Sequence, residues 1–208
     1  MSEVSMAVPR PAPPSKDDVN GNWQYLQWGL DQSMLHPDER LDLKTYMSLY
    51  TSIHNTCMAQ NTATQVGEDL YYRLNDYLKR YLQGLHAEMV QHSDEALIAY
   101  YNQQWKRFLT ASSYNNRLYR FLNRHYVPRE LDMGKQDVFE VYNLHMVRWK
   151  DYMLDSAYDA AMRLKLKQSS GETIEWPDFE SEFEQVTDSR NALLTATTSS
   201  SSRKTLGG

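Results

Sequence analysis

Cysteine occurs once in this sequence, at Cys57, so no internal disulfide can form and the chain reads as one kept in a reducing compartment. Glycine and proline are scarce, at 8 and 7 in 208 residues, and each proline falls in a terminal tail or a connection. Long helices are therefore permitted over most of the chain, and the regular turn signals of a β-sandwich are missing. No run of about 18 apolar residues exists, so nothing reads as a membrane span. The opening MSEVSMAVPRPAPPSKDD has no apolar core and does not read as a secretory signal. An intracellular, soluble protein is expected.

What is present is aromatic. Apolar residues make up 41% of the chain, yet 12% are aromatic and 15 are tyrosine. Such rings can fill a core and can also anchor a partner. The formal net charge is -5, which argues against a dedicated nucleic-acid binder.

Residues 1–20 are rich in proline, serine and charge and are expected to form a disordered arm. The final TATTSSSSRKTLGG is low in complexity and expected to be disordered; its Leu-Gly-Gly ending has no β-grasp pattern upstream. Between the tails the apolar period is helical. Leu26, Leu30 and Met34 repeat after Trp23, with Asn20 or Asn22 available as a cap. Tyr46, Leu49, Tyr50, Ile53 and Cys57 share one side of the next helix. Leu70, Leu74, Tyr77, Leu78, Tyr81, Leu82, Leu85 and Met89 form a stripe wide enough for a central helix. Ser93, Asp94 and Glu95 read as a cap and an acidic first turn for a helix burying Ile98, Tyr101, Trp105 and Phe108. A fifth helix at 111–127 carries Tyr114, Leu118, Phe121, Leu122 and Tyr126, with Pro128 marking its end. Two or more helices follow over 136–168. The fold class is all-α.

The sequence offers little chemistry. The histidines at 36, 54, 86, 92, 125 and 145 form no HExxH or other ligand cluster, and no GxSxG or phosphate-binding loop exists. No catalytic residue, metal site or cofactor is assigned. His54 and Cys57, at i and i+3, are either a base and a nucleophile or an exposed neighbour and a buried thiol. Arg117, Arg120 and Arg124 lie at i, i+3 and i+7 and could contact phosphates, ion-pair with neighbours, or dock a protein. Tyr46, Tyr50 and His54 form a line adjacent to Leu49, Ile53 and Cys57. Two adjacent lines on one helix are hard to bury together, and tyrosine is enriched in binding hot spots.

The blocks LKTYMSLYTSIHNTC, VGEDLYYRLNDYLKRYL, YYNQQWKRF, YRFLNRHYVPRE and DVFEVYNLHMVRWKDYML, followed by SSGETIE, resemble the N-terminal part of a cullin of the SCF class. WQYLQWGLDQSM fits the first helix of that region, and the resemblance covers roughly 21–175. It implies a cullin-repeat five-helix bundle over 21–128 and the start of a second helical repeat over 129–175. Residues 176–208 read as a divergent, largely disordered tail. The resemblance also implies a non-catalytic scaffold of a ubiquitin ligase complex, found in cytoplasm and nucleus. Its second and fifth helices, here 41–57 and 111–127, would bind a Skp-type adaptor of BTB/POZ fold that carries F-box substrate receptors. Carried over by position, the adaptor contacts are Tyr46, Leu49, Tyr50, His54, Tyr114, Arg117, Leu118 and Phe121. The cullin-homology region that grips the RING protein has no counterpart in the sequence, so the chain looks like a truncated cullin and no RING partner is expected. Neither nucleic acid nor membrane is an expected partner. The alternative to the scaffold is a helical nucleic-acid-binding module using the arginine face. The second-repeat segment, lacking its partners, is expected to expose apolar surface around Trp149 and Tyr152.

Overall fold

A computed structural model describes residues 10–15, 18–39, 41–58, 67–171, 174 and 176–198. Most of the expected N-terminal arm, and the terminal Ser/Thr run with its Leu-Gly-Gly, lie outside the described residues. The elements are α1 (Val19–Leu35), α2 (Leu43–Met58), α3 (Glu68–Met89), α4 (Asp94–Leu118), α5 (Val127–Asp132), α6 (Val141–Trp149), α7 (Asp155–Ser169) and α8 (Phe179–Thr198). Two π-helical turns, Leu122–Tyr126 and Lys150–Leu154, lead into α5 and α7. No strand occurs among the described residues, and the protein is all-α.

Local chemistry explains the starts and stops. Asp18, not Asn20 or Asn22, caps α1, its carboxylate accepting from the Gly21 amide at 2.8 Å. Asn22 instead donates its side-chain amide to the Ser15 and Asp18 carbonyls. Asp42 plays the capping role for α2, accepting from the Thr45 amide at 2.9 Å. The two helices approach closely at Gly29, where a Cβ would lie 2.7 Å from a Leu49 methyl. Gly67 opens α3 at φ 85°, a left-handed conformation that favours glycine, with Leu122 and Tyr126 packed against it.

The fifth helix expected at 111–127 starts later, since its first turns belong to α4 and helix resumes only after a turn at Tyr119. α4 runs unbroken from Asp94 to Leu118, and Ala111, Ser112, Asn115 and Leu118 are all buried along it. Ser112 returns its hydroxyl to the Phe108 carbonyl at 2.6 Å, so the polar ASSYNN stretch stays helical. Nor does Pro128 end the helix. Its ring would crowd a carbonyl one turn back and it lacks an N–H, but the chain upstream is already widened. There the Val127 amide bonds to the Leu122 carbonyl, five residues back.

α4 is the central strut, packed by α1, α6, α7 and α8. The core crosses the boundary expected at residue 128, because Val127, Val138, Val141 and Trp149 belong to one hydrophobic cluster with α3 and α4. Buried Glu130 pairs with Arg129 at 2.9 Å and Lys135 at 2.5 Å, and Lys135 also reaches Glu68 on α3. The Tyr71 hydroxyl accepts from the Phe139 amide at 2.8 Å. These contacts tie the 133–140 connection to α3.

Trp149, expected at an exposed apolar face, is fully buried. Its ring lies 4.6 Å from Phe108, 5.3 Å from Trp105 and 5.5 Å from Tyr101. Tyr152 is half-buried against the same core. Much of this cover comes from α8, within the stretch expected to be a disordered tail. Phe179, Val186 and Leu193 are buried there, and Ser189 meets the Tyr101 hydroxyl at 2.8 Å. Asn102 adds a bond to the Glu182 carbonyl. The helix forms because α4, α6 and α7 offer its apolar side a surface to cover.

A buried polar chain crosses the same core. Ser33 donates to the Asn115 side-chain oxygen at 2.8 Å, and the Asn115 amide approaches His145 Nε2 at 3.4 Å. His145 Nδ1 donates to the Val141 carbonyl at 2.7 Å. Burial holds this histidine's pKa down to about 4, so the ring is neutral.

Candidate docking surface

α2 is a two-sided helix. Leu49, Ile53 and Cys57 turn inward and are fully buried, which leaves the opposite side to solvent. That side carries Leu43, 76% exposed, Met47, 51% exposed, and Met58, 55% exposed, with Tyr50 and His54 between them. These positions recur every three or four residues, so they line up along the helix. Leucine and methionine on an exposed stripe gain nothing from water, and the pattern marks a candidate docking surface.

The stripe meets the segment that follows α4. Tyr46 packs edge-on to Tyr114 with ring centres 5.8 Å apart, and His54 packs edge-on to Phe121 at 5.3 Å. Phe121 also holds exposed His125 at 4.4 Å, so His125 is a packing residue. Burial raises the Tyr114 hydroxyl's pKa to about 12, with a smaller push from neighbouring Tyr46. Between the two elements lies an open groove of about 640 Å³, lined by Tyr46, Met47, Tyr50, Asn116, Arg117, Arg120, Asn123, Arg124 and Glu140.

Two asparagines shape its floor. Asn123 donates to the Asn116 side-chain oxygen at 2.8 Å. The same pair accepts from the first amides of α6, Val141 to Asn123 at 2.8 Å and Tyr142 to Asn116 at 3.2 Å. Two donors at that helix start, which a helix leaves unpaired, are thereby satisfied from the groove side.

Of the eight residues expected to contact a partner, Tyr46, Tyr50 and Tyr114 are half-buried and His54 and Arg117 are exposed. Phe121 is nearly buried behind His54 and His125. Leu49 and Leu118 are fully buried and support the surface without reaching it. Sequence reasoning missed Leu43, Met47 and Met58, although their spacing on the outer side of α2 was available. It also missed Glu140, which only the folded chain brings to the groove.

Cys57 offers this surface no nucleophile. Cys57 is sealed in the core, and burial pushes its thiol up to about 12, away from the reactive thiolate. His54 points to solvent rather than toward it. Among the described residues no cluster of three or more His, Cys, Asp or Glu is placed to hold a metal ion. No described helix is long and apolar enough to cross a membrane.

Compared with known proteins, residues 23–199 match the cullin family, described as the cullin alpha solenoid domain. The match extends past residue 175, so the segment carrying α8 is part of the likeness and not a divergent tail. The chain is 32% identical to Cullin-1 of Schizosaccharomyces pombe over 159 residues, 71% of this chain and 21% of that protein. It is 31% identical to Cullin-1 of Dictyostelium discoideum over 150 residues, 65% of this chain and 19% of the relative. Identity to cell division control protein 53 of Saccharomyces cerevisiae is 26% over 179 residues, 74% and 22% of the two chains. The chain thus spans about a fifth of the length of these curated relatives.

Proposed function

The chain belongs to the cullin family, and from that premise we propose that it is a scaffold module of an SCF-type ubiquitin ligase. Its groove between α2 and the 116–124 segment receives a Skp-type adaptor of BTB/POZ fold, and through it F-box substrate receptors. The role is non-catalytic and belongs in cytoplasm and nucleus.

One observation carries the reading. The outer side of α2 presents Leu43, Met47 and Tyr50 beside Tyr46 and Arg117, an apolar and aromatic stripe left uncovered by the chain's own core. Tyrosines at such an edge give large contact area with few rotors to freeze, the profile of a hot spot. A scaffold asks no bond-making of its residues, and the deprotonation-resistant thiol of Cys57 fits that.

The test is direct binding of the intact chain to a purified Skp-type adaptor. Tyr46→Ala with Tyr50→Ala should cost about 2 kcal/mol or more, roughly thirtyfold in Kd. Met47→Asp, at an exposed position, should weaken binding while leaving the melting temperature in place. Absence of binding by the intact chain, or wild-type affinity in the double tyrosine variant, sinks the proposal.

A further inference from the structure

Most of the described arginines already have a partner. Arg73 pairs with Asp69, Arg129 with Glu130, Arg148 with Asp151 and Arg163 with Asp94. Arg107 donates to the Leu35 carbonyl, and Arg190 lies over the Tyr158 ring. Arg117, Arg120 and Arg124 lack such a partner, as does exposed Arg80 on α3, but these three stand together. All three are exposed, all three line the groove, and none pairs with a carboxylate among the described residues. They stand at one end of α4 and in the turn beyond it, spaced over about 10 Å at the helical rise. Opposite them, across the groove, are Met47 and Tyr50.

An unpaired guanidinium row beside an apolar stripe defines its complement. Taking the docking reading above as given, we propose that the partner face received here has two parts. An apolar or aromatic projection sits against Met47 and Tyr50, and a row of aspartate or glutamate carboxylates faces Arg117, Arg120 and Arg124. Arginine suits this pairing because its planar fork meets a carboxylate with two parallel hydrogen bonds. A phosphate backbone would satisfy the arginines but would leave Leu43 and Met47 against a polar, hydrated strand. The groove lining carries three arginines against one carboxylate, Glu140, so its local charge is opposite in sign to that of the whole chain.

Association and dissociation rates separate the two parts of the proposal. The adaptor is passed over immobilised intact chain at low and at high salt. Arg117→Gln, Arg120→Gln and Arg124→Gln together should slow association roughly tenfold at low salt, with the gap closing at high salt. Replacing the same three with lysine should keep association fast and speed dissociation, because charge remains while the two-pronged bond is lost. Unchanged melting curves exclude a folding defect. If the glutamine variant associates like wild type while the Tyr46/Tyr50 variant fails, adaptor docking stands and the carboxylate row is refuted. No adaptor binding by wild type takes both readings down. Salt-dependent RNA binding that disappears with the arginines, with adaptor association unaffected, would replace the acidic protein face by nucleic acid.

Discussion

His145 gives the sharpest quantitative prediction. Its ring is fully buried, donates from Nδ1 to the Val141 carbonyl, and meets the Asn115 amide at Nε2. The Phe108 ring is 5.7 Å away. Among the described residues no carboxylate touches the ring to stabilise a positive charge, so burial holds the folded-state pKa at about 4 against an ordinary value of 6.5. A histidine depressed in this way lends stability that is complete above its unfolded pKa. That stability drains as pH falls through 6.5, and the drain stops below the folded value, where both states are protonated. Between pH 7.5 and pH 5 the linkage relation gives a loss of about 2 kcal/mol, a large part of the roughly 5–15 kcal/mol typical of a folded domain. Urea unfolding of wild type and His145→Gln at several pH values between those limits measures it. The substitution carries a fixed cost of its own, but groups common to both proteins cancel in the difference of slopes. Wild type should lose about 2 kcal/mol more than the variant across the window. Parallel stability profiles would refute the reasoning.

Trp149→Ala should cost about 3–5 kcal/mol, by removing a large buried ring and the indole donor to the Tyr101 hydroxyl at 3.1 Å. A calorimetric scan should place Tm lower by roughly 6–20 °C; a shift of a degree or two would contradict the burial described. Cys57 should resist alkylation in the native protein and react at once in denaturant, as followed by mass spectrometry. Amides of α8 between residues 182 and 194 should exchange as slowly as those of α3 if the Ser189–Tyr101 and Asn102–Glu182 bonds hold it in place, and rapid exchange would show the helix to be only loosely attached.

Much of this was legible from periodicity alone. The inner line of α3 is buried from Leu70 through Leu82, and Tyr46, Tyr50 and His54 do reach the surface while Ile53 and Cys57 do not. Leu49 and Leu118 were harder, because helical spacing places a residue on a side without saying how deep that side sits. The ASSYNN stretch suggests a break, since serine and asparagine compete with helical bonding. Here the core uses them: Asn115 joins Ser33 to His145, and Ser112 bonds back to its own helix. α8 escaped notice for a related reason. Its stripe of Phe179, Val186 and Leu193 is interrupted by Ser189, a polar residue at an inward position whose hydroxyl serves Tyr101. A buried serine looks like a loop residue until its partner, 88 positions away, is known. The groove itself joins α2 to the 116–124 segment and Glu140, and no local window contains that meeting.

The unbroken run of α4 has a mechanical meaning. Twenty-five residues of helix make a rod of about 38 Å. Arg117 lines the groove at one end, and Asp94 clasps Arg163 of α7 at the other. A break at residue 111 would have put a hinge between the groove end and the rest of the body. With none, the α4 side of the groove is joined rigidly to α7 and α8, and a partner docked there as proposed would turn with them.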